Sequence, residues 1–135
     1  MEYLYYDSKT GNVQRFINKV VLITGWKAIR IDKDMLIEEP GHLITFTTNL
    51  GQVPPITEEF VAKNAAKLCS VTSSGNRNWG RNFAVAVDKL NELYDLPAAF
   101  RFELSGTMED INQFIDIIKN QYYDSKRGSK KLDIA

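Results

Sequence analysis

The stretch Ser8-Lys9-Thr10-Gly11-Asn12-Val13 places three hydrogen-bonding side chains, Ser8, Thr10 and Asn12, around a lysine and a glycine. It follows a compact apolar run, Tyr3 to Tyr6. It precedes Val13, Phe16, Ile17 and Val20, whose i, i+3, i+4, i+7 spacing marks one face of a helix. A loop entering a helix offers backbone N–H groups without intrahelical acceptors, at the positive end of the dipole, and so suits an anion. Gly11 lets a ligand approach the backbone closely. The loop therefore reads as a phosphate cradle that needs no obligatory cation. An ordinary capped helix start fits the same residues, and Lys9 either adds charge or faces solvent. GxxxxGK and GxGxxG are both absent, so this is neither a P-loop nor a dinucleotide fingerprint.

Two further loops carry unusual chemistry. Thr47-Thr48-Asn49-Leu50-Gly51-Gln52-Val53-Pro54 contains Asn and Gly, both tolerant of positive φ, and suits a tight turn. Ser73-Ser74-Gly75-Asn76-Arg77-Asn78-Trp79-Gly80-Arg81-Asn82, followed by Phe83, concentrates amides and glycines around a tryptophan. Amides and free backbone groups can read the polar edge of a pyrimidine-like ring. Trp79 can stack on a flat aromatic one or serve as a packing residue.

The elements that must position these loops alternate between strand and helix. Tyr3 to Tyr6 reads as a buried strand, Ala28 to Ile31 as a weak one and Leu43 to Thr47 as a strong one. Pro54, Pro55 and Thr57 open a helix, with Glu58 and Glu59 near its positive end and Phe60, Val61, Ala65 and Leu68 inward. Cys69 to Ser73 is the next strand. From Gly80, Phe83, Val87, Leu90 and Tyr94 keep helical spacing, and Pro97 precedes a strand from Ala98 to Leu104. Thr107 to Asp110 has the form of a capping box opening a helix with Ile111, Phe114, Ile115, Ile118 and Tyr122 on one face.

The helix between the second and third strands is reduced or absent. Such alternation predicts an α/β fold, a parallel sheet with helices on both faces. The nearly unbroken apolar first, third and fourth strands suit its centre. The fifth alternates Phe100, Phe102 and Leu104 with Arg101 and Glu103, and the second carries Arg30 between isoleucines; both suit edges. The expected order is 2-1-3-4-5, a flavodoxin-like five-stranded arrangement. Ligands of such sheets bind outside the carboxyl ends of the strands, where the order reverses between strands one and three.

Composition bounds the function. The chain has 135 residues, enough for one domain with its own core. We expect that domain over residues 1–124, with a flexible polar, basic tail over 125–135. Seventeen basic residues balance seventeen acidic ones, which gives no global electrostatic case for nucleic acid or an anionic membrane. Cys69 is the only cysteine, so no intrachain disulfide forms; with no signal-like N-terminus or long apolar run, this suggests the cytoplasm. His42, the only histidine, precedes the third strand, and a metal site fails on ligand count. A receiver domain needs an Asp where Thr47 and Thr48 stand. A Cys-x5-Arg phosphatase needs Arg at Gly75. Cys69 reads more simply as a buried strand residue.

Taken together, the three loops resemble the NrdI family, flavodoxin-like partners of class Ib ribonucleotide reductase. The first loop resembles the flavodoxin phosphate loop, and TTNLGQVP, SSGNRNWGRNF and FELSGT are similar to NrdI segments. The resemblance implies a bound FMN, its phosphate on Ser8, Thr10, Gly11, Asn12 and Val13 beside Lys9. The isoalloxazine would lie between Thr47, Thr48, Asn49, Leu50 and Gly51 on one side and Ser74, Gly75, Asn76, Asn78, Trp79, Gly80, Asn82 and Phe83 on the other. The Asn49 backbone would turn its carbonyl toward the reduced flavin N5. Many relatives have Phe at the Leu50 position, so more of the stacking falls to Trp79.

The resemblance also implies that dioxygen is reduced at the flavin. The oxidant would pass to the radical-bearing (beta) subunit, where it helps assemble a dimanganese–tyrosyl radical cofactor. A reductant protein or reductase would supply the electrons. No side chain need act as acid, base or nucleophile, since the cofactor carries the chemistry. Arg77, Trp79 and Arg81 are candidates for partner docking; a solvated loop is the alternative.

Electrostatics bear on the choice between this role and a one-electron carrier of flavodoxin type. Carriers surround their flavin with carboxylates, which oppose its full reduction. The Thr47–Pro55 and Ser73–Asn82 loops hold no acid, and the second holds two arginines. A unit charge at ~8 Å, with an effective dielectric near 20, is worth about 2 kcal/mol, on the order of 90 mV per electron. Full reduction is therefore expected at a higher potential than in a carrier. An NAD(P)H-dependent FMN reductase would also need a nicotinamide site, and no segment offers one.

Overall fold

The computed structural model describes residues 1–48 and 50–120, apart from the side chain of Arg81. The expected fold is the one observed. Strands β1 (Tyr3–Tyr6), β2 (Lys27–Arg30), β3 (Gly41–Phe46), β4 (Leu68–Gly75) and β5 (Ala98–Glu103) form one sheet in the order β2-β1-β3-β4-β5. Every neighbouring pair is parallel. Helices α1 (Asn12–Thr24), α2 (Pro55–Asn64), α3 (Ala86–Tyr94) and α4 (Met108–Asn120) cover it. Residues 31–40 join β2 to β3 without a helix. Tyr5 ties down that connection by donating from its hydroxyl to the Glu39 carbonyl (2.6 Å). Burial pushes the Tyr5 phenol up to about 12, so it keeps its donor proton.

Two apolar clusters, one on each face, make the core. One unites Leu4, Phe16, Ile17, Phe102, Phe114 and neighbours under α1 and α4. The other unites Tyr5, Leu43, Phe60, Val61, Val71, Leu90 and neighbours under α2 and α3. Some boundaries differ from expectation. α2 stops at Asn64, so Ala65 falls in a 3-10 turn and Leu68 becomes the first residue of β4. Asn64 ends the helix because its side chain has other work. Its Oδ1 accepts from the Ile37 amide, and its Nδ2 donates to the Met35 and Phe60 carbonyls.

His42 lies inside β3, not before it. It is fully buried, with Nδ1 2.8 Å from Ser70 Oγ and Nε2 3.2 Å from Glu2 Oε1. The capping box forms as written: the Asp110 amide donates to Thr107 Oγ1, and the Thr107 amide to Asp110 Oδ2. Tyr122 and the 125–135 tail lie outside the described residues. Among the described residues, no helix is long and apolar enough to cross a membrane.

Strand β5 is the half-exposed edge that its alternation suggested, with α3 and α4 packed on it. Arg101 reaches α3 and donates to both Asp88 oxygens (2.7 and 2.8 Å). Those hydrogen bonds hold the Asp88 carboxyl below its ordinary range, against a smaller opposing desolvation. A depressed folded pKa gives stability that is present above the unfolded pKa of about 3.9 and is lost as pH falls through the folded value. Both side chains are well exposed, at 37% and 56%, so the pair is worth at most about 1 kcal/mol. Asp88→Asn is expected to cost that much in urea unfolding at neutral pH and nothing in acid below both pKa values. Equal costs at both would assign the effect to packing instead.

Candidate functional site

The first loop is built by the way α1 starts. Gly11 is its N-cap residue at φ 93 and has no side chain to cap the helix itself. That conformation costs an L-residue about 1–2 kcal/mol, which is why glycine stands there. The Gln14 amide donates to Ser8 Oγ (3.2 Å), and the Arg15 amide returns to the Gly11 carbonyl (2.9 Å). The Asn12 and Val13 amides have no intrahelical acceptor. Arg30 of β2 donates to the Ser8 carbonyl and fixes the loop's outer side. The arrangement leaves the Asn12 and Val13 amides at the positive end of α1, beside the side chains of Ser8 and Thr10.

A cavity of about 460 Å³ opens at the carboxyl ends of β1, β3 and β4, within the range of about 300–1,000 Å³ that small-molecule sites occupy. Ser8, Lys9, Thr10, Asn12 and Val13 line one end. Thr47, Thr48, Ser74, Gly75, Asn76 and Trp79 line the walls, joined by Phe46 and Leu104. The cavity thus has a hydrogen-bonding end and a part lined by the apolar side chains of Phe46, Trp79 and Leu104. Thr47 closes its floor: its hydroxyl sits 3.0 Å from Ser73 Oγ and accepts from the Ala86 amide (2.9 Å). Thr48 organises the adjoining turn. Its amide donates to the Gln52 carbonyl, its carbonyl accepts from Gly51, and its hydroxyl accepts from the Gln52 amide.

The other expected residues support the cavity from behind or stand at its margin. Gly51 lies against the Asn82 side chain, which joins the second and third loops. The Asn78 amide donates to Asn76 Oδ1 (2.9 Å). The backbone kinks at Gly80, inside the 3-10 segment Arg77–Asn82. Phe83 lies under the Arg77 guanidinium, 4.5 Å from the ring centroid. Leu50 is 72% exposed and does not line the cavity. Asn49 and the Arg81 side chain lie outside the described residues.

The sequence model of the family described as NrdI flavodoxin-like matches residues 4–116. The chain belongs to this family. It is 45% identical to Protein NrdI of Bacillus licheniformis over 130 residues, 96% of this chain and 95% of the relative. It is 40% identical to the SPbeta prophage-derived protein NrdI of Bacillus subtilis, over 84% of this chain and 88% of the relative. Protein NrdI of Macrococcus caseolyticus is 37% identical, covering 82% of this chain and 84% of its own. Among solved structures, oxidised flavodoxin 2 of Bacillus cereus superposes with a TM-score of 0.59 at 16% identity, covering 88% of this chain and 99% of its own. That likeness concerns the fold.

Sequence reasoning missed two lining residues of this NrdI-family site, Phe46 and Leu104. Phe46 was read only as a strand residue. Leu104 lies in FELSGT, after β5, a segment similar to the family's but without an expected place in the cavity. Registers explain its arrival: Gly75 pairs with Glu103, so Leu104 leaves the sheet level with the third loop. Its amide donates to the Gly75 carbonyl (2.9 Å), and its carbonyl accepts from Ser74 Oγ (2.6 Å).

The same strand alters the electrostatics. The two loops carry no acid, but Glu103 reaches the third loop, accepting from the Arg77 amide (3.2 Å) and lying 3.7 Å from Arg77 Nε. Arg77 is therefore held by Glu103 and Phe83. The pair's charges largely cancel, and both side chains are screened at 65% and 39% exposure. Asp7 is a second acid close to the first loop. It is buried, and its Oδ2 accepts from Thr57 Oγ1 (2.7 Å) at the start of α2.

Proposed function

We propose that this NrdI-family chain binds FMN in the cavity and activates class Ib ribonucleotide reductase. The observation that carries the reading is the two-part cavity, a helix start with free Asn12 and Val13 amides at one end and apolar side chains at the other. FMN has the same two parts, a phosphate and a flat ring. The phosphate would be held by Ser8, Thr10 and the Asn12 and Val13 amides, with Lys9 adding charge. The ring would lie between Trp79, Phe46 and Leu104, its polar edge facing the Thr48 turn and the Asn76 segment.

When bound, the flavin would take electrons from a reductant protein and reduce dioxygen, supplying oxidant for the dimanganese–tyrosyl radical cofactor of the radical-bearing subunit. The chain's own part is position and electrostatics. Glu103 is paired to Arg77, which largely cancels its charge, and Asp7 directs Oδ2 to the Thr57 hydroxyl at the start of α2.

Anaerobic titration with dithionite, followed by visible absorption, tests this. The purified protein is expected to be yellow and to bleach essentially in one two-electron phase. Two widely separated phases, the second at very low potential, would leave FMN in place and favour a one-electron carrier. A protein that takes up no FMN would sink the reading.

A further inference from the structure

Arg15 is not among the residues that line the cavity, yet it is bonded to one that is. Its Nη2 donates to Asn12 Oδ1 (2.6 Å), and its Nε donates to Ser105 Oγ (2.9 Å). Ser105 in turn donates to the same Asn12 Oδ1 (2.9 Å). The three side chains close a ring that joins the start of α1 to the loop between β5 and α4.

We propose that Arg15 and Ser105 are positioning residues that hold Asn12 with its amide NH2 toward the phosphate end of the cavity. The inference rests on the FMN reading above. A carboxamide oxygen has two lone pairs, and here both are used. A guanidinium has no acceptor, so flipping Asn12 would set its NH2 against Arg15 donors. The flip is thereby disfavoured, and with Oδ1 engaged, Nδ2 is the group left for Asn12 to offer to the cavity it lines. Without the ring, Asn12 could equally turn its oxygen toward an anion and repel it. The planar fork matters here beyond the charge, because one guanidinium engages Asn12 and Ser105 together.

The test is a set of flavin titrations by fluorescence, using FMN and riboflavin, which lacks the phosphate. R15A and S105A are expected to weaken FMN binding about tenfold and to leave riboflavin binding unchanged. R15K keeps the charge, loses the fork and is expected to follow R15A. In an N12A background, R15A should add less than about twofold, because it acts through Asn12. Thermal unfolding should show all variants folded, since Arg15 is exposed.

An R15A loss of equal size with and without Asn12 would overturn the proposal. So would equal weakening of riboflavin, or full recovery in R15K. Wild-type protein that prefers FMN while R15A is silent would overturn this inference alone. Wild-type protein that binds neither flavin would overturn the FMN reading and this inference with it.

Discussion

Phe16→Ala is expected to remove about 3–5 kcal/mol of stability, a large share of the roughly 5–15 kcal/mol that holds a domain of this size together. Phe16 is fully buried. Its ring stacks on Phe102 of β5 at 3.9 Å between centroids, and meets Phe114 of α4 edge-on at 5.3 Å. One side chain therefore ties α1 to the far edge strand and to the last helix. The ring is tightly packed on its other side too, since a Cβ at Gly106 would stand 2.9 Å from Phe16 Cδ1. Urea unfolding should show the loss as a shifted midpoint with an unchanged slope, and Phe16→Leu should recover much of it. A loss below about 1 kcal/mol would mean that the aromatic cluster is not what anchors α1. The consequence reaches the site as well, since α1 carries the phosphate cradle on its first turn.

Most of the architecture was legible because period and position agreed. The buried set Val13, Phe16, Ile17 and Val20 declared α1, and the unbroken run Tyr3 to Tyr6 declared a central strand. Arg30 and the Arg101–Glu103 alternation marked β2 and β5 as edges. His42 was misplaced because a polar residue beside Gly41 resembles a loop. What makes it a strand residue is long-range: Glu2 and Ser70, at the starts of β1 and β4, satisfy both ring nitrogens. Within the site, residues next to a helix N-terminus were readable, since the chemistry of uncapped amides is local. The place of Leu104 was not, because only the β4–β5 register brings it to the cavity, with Glu103 and Ser105 beside it in the chain. The acid count over two loops was correct as a reading of sequence and incomplete as a reading of space. A charge entering from an adjacent strand leaves no trace in the loop it faces.

Gly75→Val is expected to cost about 1–3 kcal/mol of stability and to lower FMN affinity at least about tenfold. Gly75 ends β4 on the cavity wall, and a Cβ built there would stand 2.5 Å from the Ala84 backbone nitrogen and 3.2 Å from Phe83 Cδ1. The obstacle is backbone, so no rotamer change relieves it. Nor is the segment free to retreat. Ala84 is buried at φ 52, a conformation that already costs a non-glycine residue about 1–3 kcal/mol. Two residues on, the Ala86 amide is held by Thr47 Oγ1 at the cavity floor. Pushing Ala84 away would break that bond and move Thr47, so the strain is delivered to the binding site. Ala84→Gly relieves the positive φ and frees the segment to shift. The double variant should therefore recover part of both losses. Unfolding curves and FMN titrations on the single and double variants measure this directly. If Gly75→Val keeps wild-type affinity and stability, residues 83–86 yield easily and do not brace the cavity. If it loses both and Ala84→Gly restores neither, the positive φ at Ala84 is not what keeps residues 83–86 from yielding.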